Sequence, residues 1–139
     1  MQPKRIVYIC LYIVWIMLIF TMSIQTGSVS TLSSKWYVDL LTSFFSNFNL
    51  TVSTVLLTTI VRKGAHFTEY AILGYITQKN VEISGNKGFY LSGLVPFADE
   101  YLQTFIAGRS GRMSDSLIDV SGYVVGVMTG KLTRKKSTN

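Results

Sequence analysis

The sequence predicts an all-α integral membrane protein, a bundle of about four transmembrane helices with both termini in the cytoplasm. Hydrophobic residues make up 48% of the 139 residues and charged residues only 14%, well below the roughly 25% charged residues of soluble domains. A long uncharged apolar run stands near the start, and most of the Lys and Arg residues fit one side of a membrane. The length predicts a single domain, residues 1–139.

The first predicted span is 6–24, which has 19 residues and almost no polar content. A bilayer core of about 30 Å needs roughly 20 helical residues. The apolar core of a cleaved signal peptide is shorter, about 7–15 residues, and is followed by small residues. Because this run is longer and ends in Met22-Ser23-Ile24-Gln25, we expect an uncleaved helix.

Three further spans are predicted at 61–78, 89–106 and 117–132, and each carries charged residues. Pro96 is expected to kink the span at 89–106. The segment 43–60 is uncharged but rich in Ser, Thr and Asn. It stays open whether this segment is an extracellular, interfacial or re-entrant helix or an extension of the second span.

The distribution of positive charge predicts the orientation of the bundle, because cytoplasmic loops are enriched in Lys and Arg. With four spans and a cytoplasmic N-terminus, eight of the 13 Lys and Arg residues lie inside, and these are Lys4, Arg5, Lys79, Lys87, Lys131, Arg134, Lys135 and Lys136. A fifth span would place the basic tail outside. We therefore interpret the tail as a membrane anchor and expect lipids, not nucleic acid, as partners.

Charged side chains within the predicted spans are the main functional signal, because an ionisable residue at a helix centre costs about 2.5–3.5 kcal/mol and often marks a functional site. Arg62, His66 and Glu69 are spaced i, i+4 and i+7, on one helical face. Antiparallel neighbouring spans would place all candidates at a similar depth in the outer half of the bundle. The other candidates are Lys63, Asp99, Glu100, Gln103, Arg109, Arg112, Asp115 and Asp119.

Four interpretations of this cluster remain open. The first is a structural network in which four cations neutralise five carboxylates, and the second is a pocket whose arginines bind an anionic head group. The third is a catalytic site, with His66 as general acid or base and Glu69, Asp99 or Glu100 as its partner. The fourth is a divalent metal site. Because four nearby cations oppose a metal ion, we expect neither a metal nor a cofactor.

The last predicted span also carries Gly122, Gly126 and Gly130 at intervals of four residues. Such a stripe is typical of a face where the backbones of two membrane helices approach closely. It predicts helix packing and carries no information about chemistry.

Several blocks of residues, taken in order, resemble the VanZ-like family over nearly the whole chain. They are Arg62-Lys63-Gly64-Ala65-His66-Phe67-Thr68-Glu69-Tyr70, Asp99-Glu100-Tyr101-Leu102-Gln103-Thr104-Phe105, Gly108-Arg109, and Asp115 with Gly122. The chain departs from the family pattern at three positions, with Ile24 where Ser is frequent, Ala107 where Pro is frequent and Asp119 where Asn is frequent.

The resemblance implies a small bacterial multi-pass protein of the cell membrane. The founding member of the family is associated with low-level resistance to the glycopeptide teicoplanin. We expect an envelope factor that binds, or alters the handling of, an anionic lipid-linked component. The expected ligands are a wall precursor, a teichoic-acid head group or the glycopeptide itself. The alternative is a membrane-embedded enzyme that modifies an envelope lipid or wall precursor. The oligomeric state stays open.

Overall fold

A computed structural model describes residues 3–109 and 111–133, and this part of the chain is helical throughout with no strand. Ser110 and residues 134–136 of the predicted basic anchor lie outside the described residues. The elements in chain order are α1 (Pro3–Ser23), α2 (Gly27–Ser46), α3 (Thr54–Ser84), a 3₁₀ helix (Lys87–Leu94), α4 (Val95–Gln103) and α5 (Met113–Leu132).

Helix α3 is the centre of the fold and contacts α1, α2, α5 and the 3₁₀ helix. Its closest partner is α5, whose Gly122 and Gly126 lie against the main-chain carbonyls of Phe67 and Ala71. A Cβ atom at either glycine would overlap these carbonyls. The predicted glycine packing face is therefore confirmed, and the order of the contacts shows that α3 and α5 run parallel.

The remaining core joins α1 to this pair. Ile19 of α1 is buried against Tyr70, Leu73 and Tyr123. The Trp15 indole N–H donates to the Glu69 carbonyl at 2.9 Å, so the middle of α1 is held beside the polar end of α3.

The segment 43–60 is divided between two helices, and its last residues extend the helix that contains the second predicted span. Its first residues end α2 at Ser46, and its last residues begin α3 at Thr54. Asn49 between them has a φ of 55°, a left-handed conformation that a helix cannot include. The predicted span 61–78 is the middle of the longer α3, which ends where Gly85 adopts a φ of 71°.

The segment 89–106 also differs from the single kinked helix that the sequence predicted. It consists of most of the 3₁₀ helix, followed by the nine-residue α4 and a turn. Pro96 lies in the first turn of α4. Backbone N–H groups in the first turn form no hydrogen bond within the helix, so the missing N–H of proline costs nothing there. The proline thus marks a helix start instead of a kink. The predicted span 117–132 lies within α5, which begins four residues earlier at Met113.

Among the described helices, α1 is the one with both the length and the apolar composition needed to cross a membrane. Its apolar side chains mostly face outward, with Val14 58% and Met17 64% exposed. Helix α4 is too short to cross a membrane. The other helices contain charged and hydroxyl side chains that lower their mean hydropathy.

Candidate functional site

The candidate site is centred on His66 of α3, Asp99 of α4 and Asp119 of α5. One ligand atom from each of these side chains lies within 4.8 Å of the other two. The two aspartates are 2% and 1% exposed, and Nδ1 of His66 lies 3.7 Å from Oδ1 of Asp119. Three separate helices thus bring together side chains that are far apart in sequence.

The glycine contacts explain why His66 meets Asp119. Gly122 of α5 packs against Phe67 of α3. Asp119 precedes Gly122 by three residues, which is nearly one helical turn. Because α5 runs parallel to α3, Asp119 therefore lies beside His66. The same register places Asp115 next to Lys63, whose Nζ lies 3.1 Å from Oδ1 of the carboxylate. Packing of small residues therefore sets the geometry of the polar residues.

Asp99 begins a chain of hydrogen bonds that reaches Arg109. The Gln103 amide donates to Oδ2 of Asp99 at 3.2 Å, and Arg109 donates to Oε1 of Gln103 at 3.3 Å. Arg109 also donates to the main-chain carbonyls of Met22 and Gln25, at 3.0 and 3.1 Å. Burial, and next the charge of Arg62, lowers the pKa of Arg109, but a guanidinium stays charged in proteins.

The expected network of four cations and five carboxylates is largely replaced by other contacts. Lys63–Asp115 is the one Lys or Arg ion pair that these residues form within the described part of the chain. Arg112 contacts Glu100 through its backbone N–H, which donates to Oε2 at 2.8 Å. Arg109 is bound to an amide and two carbonyls instead of a carboxylate.

Several buried polar atoms at the centre have no hydrogen-bond partner within the described residues. They include Nδ1 of His66, Oδ1 of Asp99, Oδ2 of Asp119, Oε1 of Glu69 and the Tyr70 hydroxyl. The Tyr70 hydroxyl lies close to the Asp99 carboxylate. Since buried polar groups are costly without a partner, this centre is chemically suited to receive a ligand.

Two cavities meet at this centre. A polar cavity of about 270 Å³ is lined by eight of the eleven residues that the sequence singled out, namely Arg62, Lys63, His66, Glu100, Gln103, Arg112, Asp115 and Asp119. A mainly apolar groove of about 740 Å³ runs between α1, α2 and α3. It contains the other three, Glu69, Asp99 and Arg109, and shares Arg62 and His66 with the polar cavity.

The groove also includes residues that sequence reasoning did not select. Ser30, Ser34 and Tyr37 of α2 line it, and their spacing of i, i+4 and i+7 is a helical stripe that a search for small polar residues would have found. Gln25 also contributes to the site through its main-chain carbonyl, which accepts a hydrogen bond from Arg109.

Taken together, the chain is a small helical protein with one helix long and apolar enough to cross a membrane and with a polar centre buried among its helices. The sequence profile of the VanZ/LLP1 family matches residues 8–134, so the chain belongs to this family. Members of the family are typically associated with membranes. Comparison with curated proteins and with solved structures gave no significant match.

Proposed function

We propose that this chain is a multi-pass protein of the bacterial cell membrane that binds an anionic lipid-linked component of the envelope. The bound component would be a wall precursor or a teichoic-acid head group, and its altered handling would give low-level resistance to teicoplanin. Membership of the VanZ/LLP1 family supports the resistance role.

The observation that carries the proposal is the junction of the two cavities at Arg62 and His66. A lipid-linked precursor has an anionic head and a long apolar chain, and the two cavities match these two parts. Arg62 and Arg112 line the polar cavity, and guanidinium groups bind phosphate oxygens in pairs. The third cation, Lys63, is paired with Asp115. The groove between α1, α2 and α3 suits the chain.

The exposed surface supports the membrane part of the proposal. Large apolar side chains such as Met17, Leu32 and Leu132 are 64%, 70% and 84% exposed, and extended apolar patches are rare on soluble monomers.

The 3₁₀ helix of eight residues and the nine-residue α4 together reach about 30 Å, which equals the bilayer core. We infer four crossings by α1, α3, this composite segment and α5, with both termini cytoplasmic.

Lipids that copurify with the protein test the proposal. The protein, Arg62→Gln and Lys35→Gln are purified from bacterial membranes in mild detergent, and bound lipids are identified by mass spectrometry. Lys35 is an exposed cation on α2, so its substitution is a matched control for the loss of charge. We expect phosphorylated polyprenyl lipids on the wild type and on Lys35→Gln, and their loss from Arg62→Gln. The same lipids on all three proteins would contradict the proposal.

A second candidate function is favoured by the position of His66 between two buried carboxylates, 3.7 Å from Asp119. This arrangement suits general acid–base catalysis on a bound envelope lipid, with Asp99, Glu69 or Glu100 as further candidates. Mass spectrometry of envelope lipids, with and without the expressed protein, separates binding from catalysis. A chemically altered lipid that disappears with His66→Gln supports an enzyme, whereas full resistance with His66→Gln contradicts catalysis by this imidazole.

A further inference from the structure

We propose that His66, Asp99 and Asp119 form a binding site for a divalent transition-metal ion, with Zn²⁺ as the preferred ion. The site goes beyond the proposed lipid binding and does not depend on it. One imidazole nitrogen and two carboxylate oxygens are common zinc ligands, and three protein ligands with an open fourth position are typical of accessible zinc sites.

The positions of the three side chains fit such an ion. Their ligand atoms lie within 4.8 Å of one another, while ligands about 2.0–2.2 Å from a tetrahedral zinc are roughly 3.5 Å apart. To bind a tetrahedral zinc, the ligand atoms have to approach one another by only about 1 Å. The close contact of α3 with α5 at Gly122 fixes the helices that carry two of the three ligands.

The two buried aspartates also favour a cation at this point of the site. Asp99 and Asp119 are both at least 98% buried, and neither forms an ion pair with Lys or Arg among the described residues. Buried carboxylates in proteins are normally paired or coordinate a metal. We expected no metal from the sequence because four cations lie nearby. In the structure, however, Lys63 is paired with Asp115. Arg109 donates to an amide and two carbonyls.

The unpartnered atoms are an independent observation that points to the same site. Each of the three residues keeps a buried atom without a hydrogen bond, and these atoms are Nδ1 of His66, Oδ1 of Asp99 and Oδ2 of Asp119. A cation among these three side chains would give such buried atoms a partner. His66 and Asp119 also line the polar cavity, so the open coordination position would be accessible from there.

Metal titration of the full-length protein tests the inference. The purified protein, with its affinity tag removed, is stripped with a chelator and titrated with ZnCl₂, MnCl₂ and MgCl₂ by calorimetry, and bound metal is counted by mass spectrometry. We expect about one Zn²⁺ per chain, bound more tightly than Mg²⁺. His66→Gln, Asp99→Asn and Asp119→Asn should each weaken binding at least about tenfold. Asp39→Asn, at an exposed position on α2, should leave it unchanged.

Substoichiometric zinc on the wild type, or equal affinity in all four variants, would overturn the inference. If the site variants do not fold, X-ray absorption on the zinc-loaded wild type decides the question. Because the chain has one His and one Cys, an imidazole signal identifies His66, and oxygen as the remaining neighbours supports the two aspartates. A shell without imidazole would overturn the site. Lipid binding is not measured in either experiment, so the two proposals fail separately.

Discussion

Gly126 of α5 lies directly against the main-chain carbonyl of Ala71 on α3, closer than any side chain would permit. This contact belongs to the same packing face as Gly122 against Phe67. Because the two helices run parallel in this register, the polar residues one or two turns earlier meet in pairs. The glycine face thus positions the candidate site without being part of it.

We expect Gly126→Ala to destabilise the protein by about 1–3 kcal/mol, because the added methyl group forces the two backbones apart. Gly64→Ala is the matched control on α3, since a Cβ there meets nothing within 4 Å. Replacing an exposed helical glycine stabilises by up to about 1 kcal/mol. Thermal unfolding in detergent should show a lower Tm for the first variant and an equal or higher Tm for the second. A higher Tm for both would show that the helices are not in close contact.

We expect Arg109→Lys to destabilise the end of the bundle that contains the site. Arg109 joins Gln103 to the carbonyls of Met22 and Gln25, and an ammonium group cannot reproduce this planar fork. The loss of a charged hydrogen bond costs about 1.5–3 kcal/mol. Arg5→Lys, at an exposed position of α1, is the control. Equal Tm values for both variants would contradict the structural role of Arg109.

We expect the ion pair between Lys63 and Asp115 to add little to stability. The two side chains are 46% and 33% exposed, so solvent screens their attraction to at most about 1 kcal/mol. A double-mutant cycle with Lys63→Gln and Asp115→Asn measures the coupling free energy directly. A coupling free energy of several kcal/mol would mean that membrane or ligand shields the pair from water.

The inferred topology predicts which positions are accessible from outside the cell. In a Cys10→Ser background, Lys35→Cys should react with a membrane-impermeant maleimide on intact cells, because α2 follows the first crossing. Lys87→Cys should react only after permeabilisation, since it lies between the second and third crossings. Both lysines are exposed, so burial does not limit labelling. Reaction at Lys87→Cys in intact cells would exclude four crossings with a cytoplasmic N-terminus.

The helical class, the glycine face and the residues that gather at the site could be predicted from spacing and charge alone. Helix α2 could not, because its Ser- and Thr-rich sequence has neither a charge pattern nor a strong helix propensity. The 3₁₀ helix was missed for a related reason, since Gly88 and Gly93 fall in an apolar run that resembles an ordinary span.

The contacts between charged groups were the least predictable feature. Spacing placed arginines beside carboxylates, but the Arg109 side chain donates to two main-chain carbonyls and an amide oxygen, and Arg112 contacts the Glu100 carboxylate through its backbone N–H. Which partner an arginine chooses depends on loop backbone positions, and the spacing of charged residues contains no information about them. The unpartnered atoms of His66, Asp99 and Asp119 therefore could not be predicted from the sequence and were identified only in the structure.

The central claim is that the polar cavity selects an anionic head group, and lipid binding in nanodiscs tests it most directly. A long-chain prenyl phosphate and the matching prenyl alcohol are titrated against the wild type, Arg62→Gln and Lys35→Gln. We predict at least about tenfold tighter binding of the phosphate, equivalent to about 1.4 kcal/mol, in the wild type and Lys35→Gln, and loss of this preference in Arg62→Gln. Equal affinity of the wild type for the phosphate and the alcohol would contradict the account.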